Sequence, residues 1–256
     1  SGTFIFNGAI TGSGGITRTS TFSTVILAGN NSYTGPTTIS AGTLQIGNDG
    51  ASGTLGSGAV SIASGATLRI DRTGTVEVPN DISGAGALFI SGPAQTDVIS
   101  LTGNNSFTGT VSISSGSLRI TDAAQLGTGA KSVTATSATA ALRLDGSAGA
   151  VILPAEFAIS TSNPNGAIIN EAGENEIGSS INLVGGAGNT RITSNAGTLT
   201  IQGGIAPSTT GRSLDLRGAG NGIVNGSVAD GSATNTLGTI SKNDAGTWTL
   251  NGNNSL

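Results

Sequence analysis

A long internal repeat is the feature that most restricts what this chain can fold into. Residues 29–46 read GNNSYTGPTTISAGTLQI, and residues 103–120 read GNNSFTGTVSISSGSLRI, 74 positions later. A third start, GNNSL at residues 252–256, follows the second after two such intervals to within one residue. Self-similarity of this kind is typical of repeat proteins, in which each unit contacts only its neighbours. We therefore predict a repeat architecture.

A shorter period lies inside the long one. Triplets of the form apolar-x-apolar return every 20 to 28 residues, as at residues 44–46, 68–70 and 88–90. Ser, Thr and Gly surround the triplets, and alternation of apolar with polar residues is typical of half-buried strands. Each long repeat therefore holds about three coils of a solenoid.

The composition favours an all-β solenoid over disorder. Of the 256 residues, 43 are glycine and only 9% are charged, but 36% are hydrophobic, which is more than disordered chains usually contain. Abundant glycine suits a chain that must change direction several times in each coil. We predict one domain over residues 1–256, with long repeats at about 1–75 and 76–150, a diverged repeat at 151–225 and a partial one at 226–256.

The composition also excludes several chemistries. The chain has no cysteine, histidine or methionine, so thiol nucleophiles, histidine catalysis and histidine-ligated zinc are ruled out. A serine nucleophile would need Lys131 or Lys242 as its base, and neither lies in a recognisable motif. A net charge of −4 disfavours nucleic acid as a partner, because no basic patch is available for phosphates. We expect no enzymatic activity, no cofactor and no metal.

The densest carboxylate cluster is EAGENE at residues 171–176. If residues 174–176 are extended, Glu174 and Glu176 share a face and could bind Ca²⁺ or serve as an acid/base pair on a sugar. The alternative interpretation is a solvated loop on an acidic surface. Glu171, Glu174 and Glu176 are thus the candidate ligand-binding residues.

Paired asparagines open each copy of the signature. We predict that they are structural turn residues, whose amides bond the backbone or stack in a short ladder. The six residues are Asn30, Asn31, Asn104, Asn105, Asn253 and Asn254.

Other positions that recur with the repeat are interpreted structurally. Arg69, Arg119 and Arg143 stand in the middle of triplets and should point outward, either to solubilise the surface or to bind acidic glycans. The recurring Asp71 and Asp145 should bond backbone amides at corners. Tyr33 and Phe107, equivalent by repeat, should pack at a corner. The polar segment 162–166 should be a loop that protrudes from the solenoid.

The signature resembles a known family. Residues 242–253 fit K-x-x-x-G-x-W-x-L-x-G-x-N, and the two full copies continue with N-S-[YF]-T-G and a G-[TS]-L-x-[IV] strand. This pattern is similar to the autotransporter-associated β-strand repeat of bacterial autotransporter (type V secretion) passengers. It is strong at 29–46 and 103–120 and recognisable at 242–256. The resemblance implies a right-handed parallel β-helix displayed by a C-terminal translocator barrel, which this chain does not contain.

These observations combine into one expectation. The fold is an all-β, right-handed parallel β-helix of roughly 11 to 12 coils with three parallel sheets. The function is that of an adhesive or self-associating rod, outside the cell or on the bacterial surface, with host or bacterial surface components or copies of itself as partners. An inert stalk that aids secretion and presents a distal domain is the alternative, and a carbohydrate-active enzyme is a further one.

Overall fold

The computed structural model describes residues 2–185 and 188–255, and within these ranges the regular structure is β-strand with one 3₁₀ turn at Ala123–Leu126. The chain forms two compact units. The first comprises Ser1–Leu118 with Ala124–Gly129, and the second comprises Arg119–Ala123 with Ala130–Leu256. Leu256, the last residue of the third signature copy, lies outside the described residues.

Strands in the first unit pair in parallel, and the first signature copy, residues 29–46, supplies β4 and the start of β5. Three parallel sheets have the orders β1-β3-β5-β7-β10-β12, β2-β4-β6-β9 and β8-β11. Only the last two residues of β12 belong to the second unit. The strands are β1 (Thr3–Phe6), β2 (Ile16–Arg18), β3 (Thr24–Leu27), β4 (Thr37–Ile39), β5 (Thr43–Gly50), β6 (Val60–Ile62), β7 (Thr67–Arg72), β8 (Thr75–Val78), β9 (Ile82–Gly84), β10 (Ala87–Ser91), β11 (Val98–Leu101) and β12 (Val111–Ile120).

The second unit repeats this plan. Its parallel sheets have the orders β13-β16-β19-β22, β14-β17-β20-β23-β25 and β15-β18-β21-β24-β26. The strands are β13 (Lys131–Ala135), β14 (Ala140–Asp145), β15 (Ile152–Leu153), β16 (Phe157–Thr161), β17 (Ile168–Ala172), β18 (Glu174–Ile177), β19 (Ile181–Leu183), β20 (Asn189–Ser194), β21 (Thr198–Ile201), β22 (Ile205–Pro207), β23 (Arg212–Arg217), β24 (Asn221–Val224), β25 (Leu237–Lys242) and β26 (Trp248–Leu250).

Successive strands of a sheet are separated by one coil of chain. Thr24 pairs with Thr43, and Lys131 pairs with Phe157, so a coil takes between 19 and 26 residues. These parallel pairings, one coil apart, confirm the predicted all-β solenoid with parallel sheets. The described residues form about ten coils, slightly fewer than the 11 to 12 expected. The right-handed sense and the repeat boundaries stay predictions.

The apolar positions of the triplets stack from coil to coil. Leu44 pairs with Leu68, which pairs with Leu88, and all three side chains are fully buried. A fully buried leucine contributes roughly 1.5–3 kcal/mol relative to an exposed one. Because no single coil can enclose such a column, each coil depends on its neighbours for its core.

The first glycine of the GNNS signature is required by close packing. A Cβ atom at Gly29 would lie 2.3 Å from the carbonyl oxygen of Gly8, and one at Gly103 would lie 2.2 Å from that of Asn80. Real Cβ atoms do not approach backbone oxygens so closely, so only glycine lets the coils meet at this corner.

Residues 162–166 form the expected loop between β16 and β17, but the loop does not protrude, so that part of the prediction was wrong. The side chain of Asn163 is fully buried, and its Nδ2 donates to the carbonyl oxygen of Ala140 at 2.6 Å. The Nδ2 of Asn165 donates to the carbonyl oxygen of Ala138 at 2.9 Å. These amides bond the backbone of the preceding coil, so a polar sequence packs inward without leaving buried groups unpaired.

Candidate functional site

The paired asparagines of the first signature copy join neighbouring coils. The Oδ1 of Asn31 accepts a hydrogen bond from the backbone N–H of Ile10 at 2.8 Å, and its Nδ2 donates to the carbonyl oxygen of Thr54 at 2.7 Å. The Oδ1 of Asn30 accepts from the N–H of Gly53 at 3.0 Å. One buried amide thus bonds the coils on both sides of its own, satisfying backbone groups that the corner takes out of the sheets.

The second copy repeats this arrangement. The Oδ1 of Asn105 accepts from the N–H of Ile82 at 2.8 Å, and its Nδ2 donates to the carbonyl oxygen of Gln125 at 2.7 Å. The backbone N–H of Asn104 donates to Asp81 Oδ1 at 2.7 Å. The buried second asparagine of the pair therefore has the same two kinds of partner in both copies.

In the third copy, Asn254 Oδ1 accepts from the N–H of Val228 at 2.9 Å, while both Asn253 and Asn254 are exposed. The side chain of the second asparagine of each pair therefore bonds backbone in all three copies. Their shared role as structural turn residues of the repeat stays a prediction.

The aromatic residues that follow the asparagines lie in the core. Tyr33 and Phe107 are at most 1% exposed, and the Tyr33 hydroxyl lies 2.7 Å from Thr37 Oγ1. Trp248 is half-buried and donates from Nε1 to the carbonyl oxygen of Arg217 at 3.2 Å. The rings of Tyr33 and Phe107 therefore serve packing.

The three candidate glutamates do not converge on one site. Glu171 lies on β17 and accepts from Arg119 Nε through Oε2 and from Arg143 Nη1 through Oε1, both at 2.9 Å. Glu174 and Glu176 lie on β18 of a different sheet, where the alternating burial pattern puts both on the outer face. Glu171 is therefore engaged with two arginines, and the expected proximity applies only to the other two.

No metal centre is visible at these residues. Across residues 2–185 and 188–255, no group of three or more acidic, histidine or cysteine side chains is arranged to hold a metal ion. No helix in the same ranges is long and apolar enough to cross a membrane. Ligand binding by Glu171, Glu174 or Glu176 stays a prediction.

Arginines in the second unit pair with carboxylates. Asp145 accepts from Arg119 and from the backbone N–H of Ser147, the latter at 3.0 Å, as expected for a corner aspartate. Although burial opposes ionisation, these donors hold the pKa of Asp145 below its ordinary value. The two middle-of-triplet arginines of this unit, Arg119 and Arg143, thus have carboxylate partners, which weakens their interpretation as free acidic-glycan ligands.

The most strongly stabilised carboxylate of the second unit was missed by sequence reasoning. Asp215 accepts from Arg217 Nε at 2.7 Å, Asn243 Nδ2 at 3.0 Å, Ser241 Oγ at 3.0 Å and Arg191 Nε at 3.1 Å. Burial would raise its pKa, but these donors hold it at about 2. The one sequence feature that marks Asp215 is its place in the middle of the triplet LDL.

Asp71 of the first unit behaves in the opposite way. Its Oδ2 accepts from Arg69 Nη2 at 2.8 Å instead of from backbone amides, so the corner prediction was wrong for this copy. Its Oδ1 is buried without a hydrogen-bond partner. Burial, and then the neighbouring carboxyl of Asp49, raise the pKa of Asp71 to about 6. The Arg69 guanidinium also lies 5.2 Å from the ring centroid of Phe89.

A row of polar side chains, which we name the amide row, runs across four coils of the second unit. Asn251 Nδ2 donates to Asn225 Oδ1 at 2.9 Å, Asn225 Nδ2 donates to Gln202 Oε1 at 2.8 Å, and Gln202 Nε2 donates to Glu176 Oε2 at 2.8 Å. All three hydrogen bonds are exposed. The three amides each follow the last residue of a strand, a signal that is visible once the strand ends are known.

Comparison with known proteins agrees with the repeat signature. The family model described as the passenger-associated-transport-repeat matches residues 23–46, 98–120 and 240–256. The chain is also 35% identical over 118 residues, 39% of its length, to a protein of Brucella suis biovar 1 (strain 1330) described as "Adhesin BmaC autotransporter". No solved structure is significantly similar.

These matches confirm the resemblance to an autotransporter passenger. The two full signature copies at 29–46 and 103–120 lie inside the segments matched by the family model. The aligned part of the chain spans only 3% of the length of the Brucella adhesin, so the similarity concerns one stretch of a much longer relative.

Proposed function

We propose that this chain is part of the passenger of a surface-displayed or secreted autotransporter, and that it acts without catalysis as an adhesive or self-associating segment. The observation that carries the proposal is the amide row, which presents the same hydrogen-bonding chemistry on successive coils. The similarity to an autotransporter adhesin also supports an adhesive role.

The amide row suits many weak contacts. A side-chain amide has two N–H donors and an oxygen with two lone pairs, and within the row Gln202 and Asn225 each use one N–H and one lone pair. One donor and one acceptor per coil therefore remain for a partner, at the spacing of about 4.8 Å that separates parallel strands. Contacts that repeat along a length add up to avidity although each is weak.

The partners that fit this surface are polar. Host or bacterial surface components rich in hydroxyl and amide groups, or a second copy of the same face, offer matching donors and acceptors. In the full-length protein, a C-terminal translocator barrel would deliver the passenger to the outside of the cell, as the passenger repeat suggests.

The test uses the parent autotransporter displayed on bacterial cells. The variant Gln202→Ala/Asn225→Ala/Asn251→Ala removes the amides of the row, and we expect it to reduce clumping or surface attachment severalfold. The matched control, Thr38→Ala/Ser61→Ala/Ser83→Ala, removes polar groups from three successive half-buried outer positions of β4, β6 and β9.

Equal clumping and attachment for wild type, row variant and control would contradict adhesion through the row. Deleting residues 29–102, one 74-residue period, then separates the remaining possibilities. If attachment survives this deletion as well, the segment is a stalk; if only the deletion abolishes it, adhesion resides in the first repeat.

A further inference from the structure

The first unit contains a cavity of about 400 Å³ between the segment 53–57 and strand β8. Its walls are largely apolar and include Ile46, Ile70, Leu55, Val76 and Val78. Small-molecule sites in proteins are typically concave, mostly apolar and of this size, with a few polar groups that fix the orientation of the ligand.

A difference between the two signature copies accompanies the cavity. In the first copy, nine positions separate Ile46, at the end of a triplet, from Leu55; in the second copy, six separate Ile120 from Leu126. Leu126 is fully buried, whereas Leu55 is half-buried and lines the cavity. The longer connection leaves the first-copy leucine at the edge of the core, and the space around it is not filled.

Hydrogen bonds hold the segment above the cavity in place. The buried guanidinium of Arg72 donates to the carbonyl oxygens of Ala51 and Gly53. On the far side, Asn80 Nδ2 donates to the carbonyl oxygens of Gly56 at 2.7 Å and Gly58 at 2.8 Å. The cavity is thus preformed, so a ligand would not need to order the segment that covers it.

Strand β8 presents backbone groups to this space. On its other edge it pairs with β11, where the carbonyl oxygens of Gly74 and Val78 accept from Val98 N at 2.9 Å and Thr102 N at 3.0 Å. Alternate residues of a parallel strand direct their N–H and C=O groups to opposite edges. The backbone groups of Glu77 therefore face the segment 53–57, beside the cavity.

We propose that this cavity is a binding site for a small primary amine with an apolar body. Among the described lining residues, Glu77 is the one that carries a charge, and its side chain is exposed at the mouth. The apolar body would fill the space between Ile70 and Val78, while the ammonium group would meet the Glu77 carboxylate and nearby backbone carbonyl oxygens. A carboxylate ligand would be repelled at the same position.

The probes are 2-phenylethylamine and phenylacetate, which share a phenyl body and differ in charge. Binding is measured by calorimetry and by amide chemical-shift changes on the 256-residue chain. We expect the amine to bind with shift changes at residues 46, 70 and 76–78, and phenylacetate to bind at least about threefold more weakly. The substitution Glu77→Gln should weaken binding of the amine by about threefold, so that the chain no longer prefers the amine to phenylacetate.

A cavity-filling variant provides the second arm. Val76→Trp should abolish amine binding, whereas Ile223→Trp, at a half-buried position on β24 outside the cavity lining, should leave it unchanged. Circular dichroism verifies that each variant is folded. Three results on the wild type would each overturn the proposal: equal binding of both probes, no binding of the amine, or shift changes away from the cavity. These results do not depend on the variant, so the proposal can still be tested if Val76→Trp fails to fold.

Discussion

The two full copies of the signature share their corners but differ in the segments downstream of them. Asn31 and Asn105 make the same kind of coil-joining hydrogen bonds. Beyond these corners, Leu55 borders a cavity while Leu126 is fully buried. The signature thus specifies how coils are joined, and the variable connection after it decides how well the next part of the core is filled.

The carboxylates of the two copies differ in the same way. Asp71 and Asp145 are equivalent by repeat, yet the pKa of Asp71 is raised to about 6 and that of Asp145 is lowered. Asp49 stands near the first, whereas the position one period later is Ala123, and Asp145 instead has Ser147 and Arg119 as donors. Burial, together with neighbours that lie outside the signature, therefore decides the charge state of a repeated residue.

The largest expected effect comes from the paired leucines. Leu126→Ala removes a fully buried side chain and should lower the free energy of unfolding by about 2–5 kcal/mol. Leu55→Ala truncates a half-buried side chain beside an existing cavity and should cost about 1 kcal/mol or less. Urea unfolding followed by circular dichroism measures both. Equal losses would mean that the two copies are packed alike.

The asparagine corners should give equal effects in the two copies. Asn31→Ala and Asn105→Ala each leave a backbone N–H and a backbone carbonyl without their partner and should cost about 1–3 kcal/mol. The diverged third repeat supplies the control. Ser179 Oγ is buried without a hydrogen bond, so Ser179→Ala should be neutral or slightly stabilising. If Ser179→Ala instead lowered the free energy of unfolding, the diverged corner would carry a hydrogen bond equivalent to those of Asn31 and Asn105.

The pH dependence should differ between the two aspartates. Asp71 binds a proton more tightly in the folded chain, with a pKa of about 6, than at its ordinary value of 3.8, so its contribution to stability rises as the pH falls from about 7 through 6 towards 4. The gain should be about 1–3 kcal/mol. The contribution of Asp145, whose pKa is lowered, is present at neutral pH and is lost only as the pH falls below its ordinary pKa.

Carboxyl-carbon NMR titration measures both values directly. Asp49→Asn should lower the pKa of Asp71, although not to its ordinary value, because burial is the larger cause. It should leave the titration of Asp145 unchanged. An unaltered Asp71 titration in this variant would remove Asp49 as a cause.

The sequence predicted the parts of the fold that depend on short-range alternation. The inward positions of the triplets, such as Leu44 and Leu68, follow from period-two burial, and their stacking follows from the repeat. Residues 162–166 could not be predicted in the same way, because a polar segment packs inward only if the preceding coil offers backbone partners, as Ala138 and Ala140 do.

The candidate site was less predictable for a related reason. The four donors to Asp215 include Arg191, Ser241 and Asn243, each at least 24 positions away, and coils of unequal length hide that spacing. The amide row is hidden likewise, since Gln202, Asn225 and Asn251 recur at unequal intervals. Both become visible only when the register between coils is known.

The most direct test of the proposed function is made on beads that carry the 256-residue chain at increasing surface density. We predict that bead clumping, or attachment to a polar polysaccharide or bacterial surface, rises more steeply than density, as multivalent contact requires. The variant Gln202→Ala/Asn225→Ala/Asn251→Ala should lower this response at every density. Wild-type beads that behave like uncoated beads at all densities, on all of these surfaces, would contradict the account.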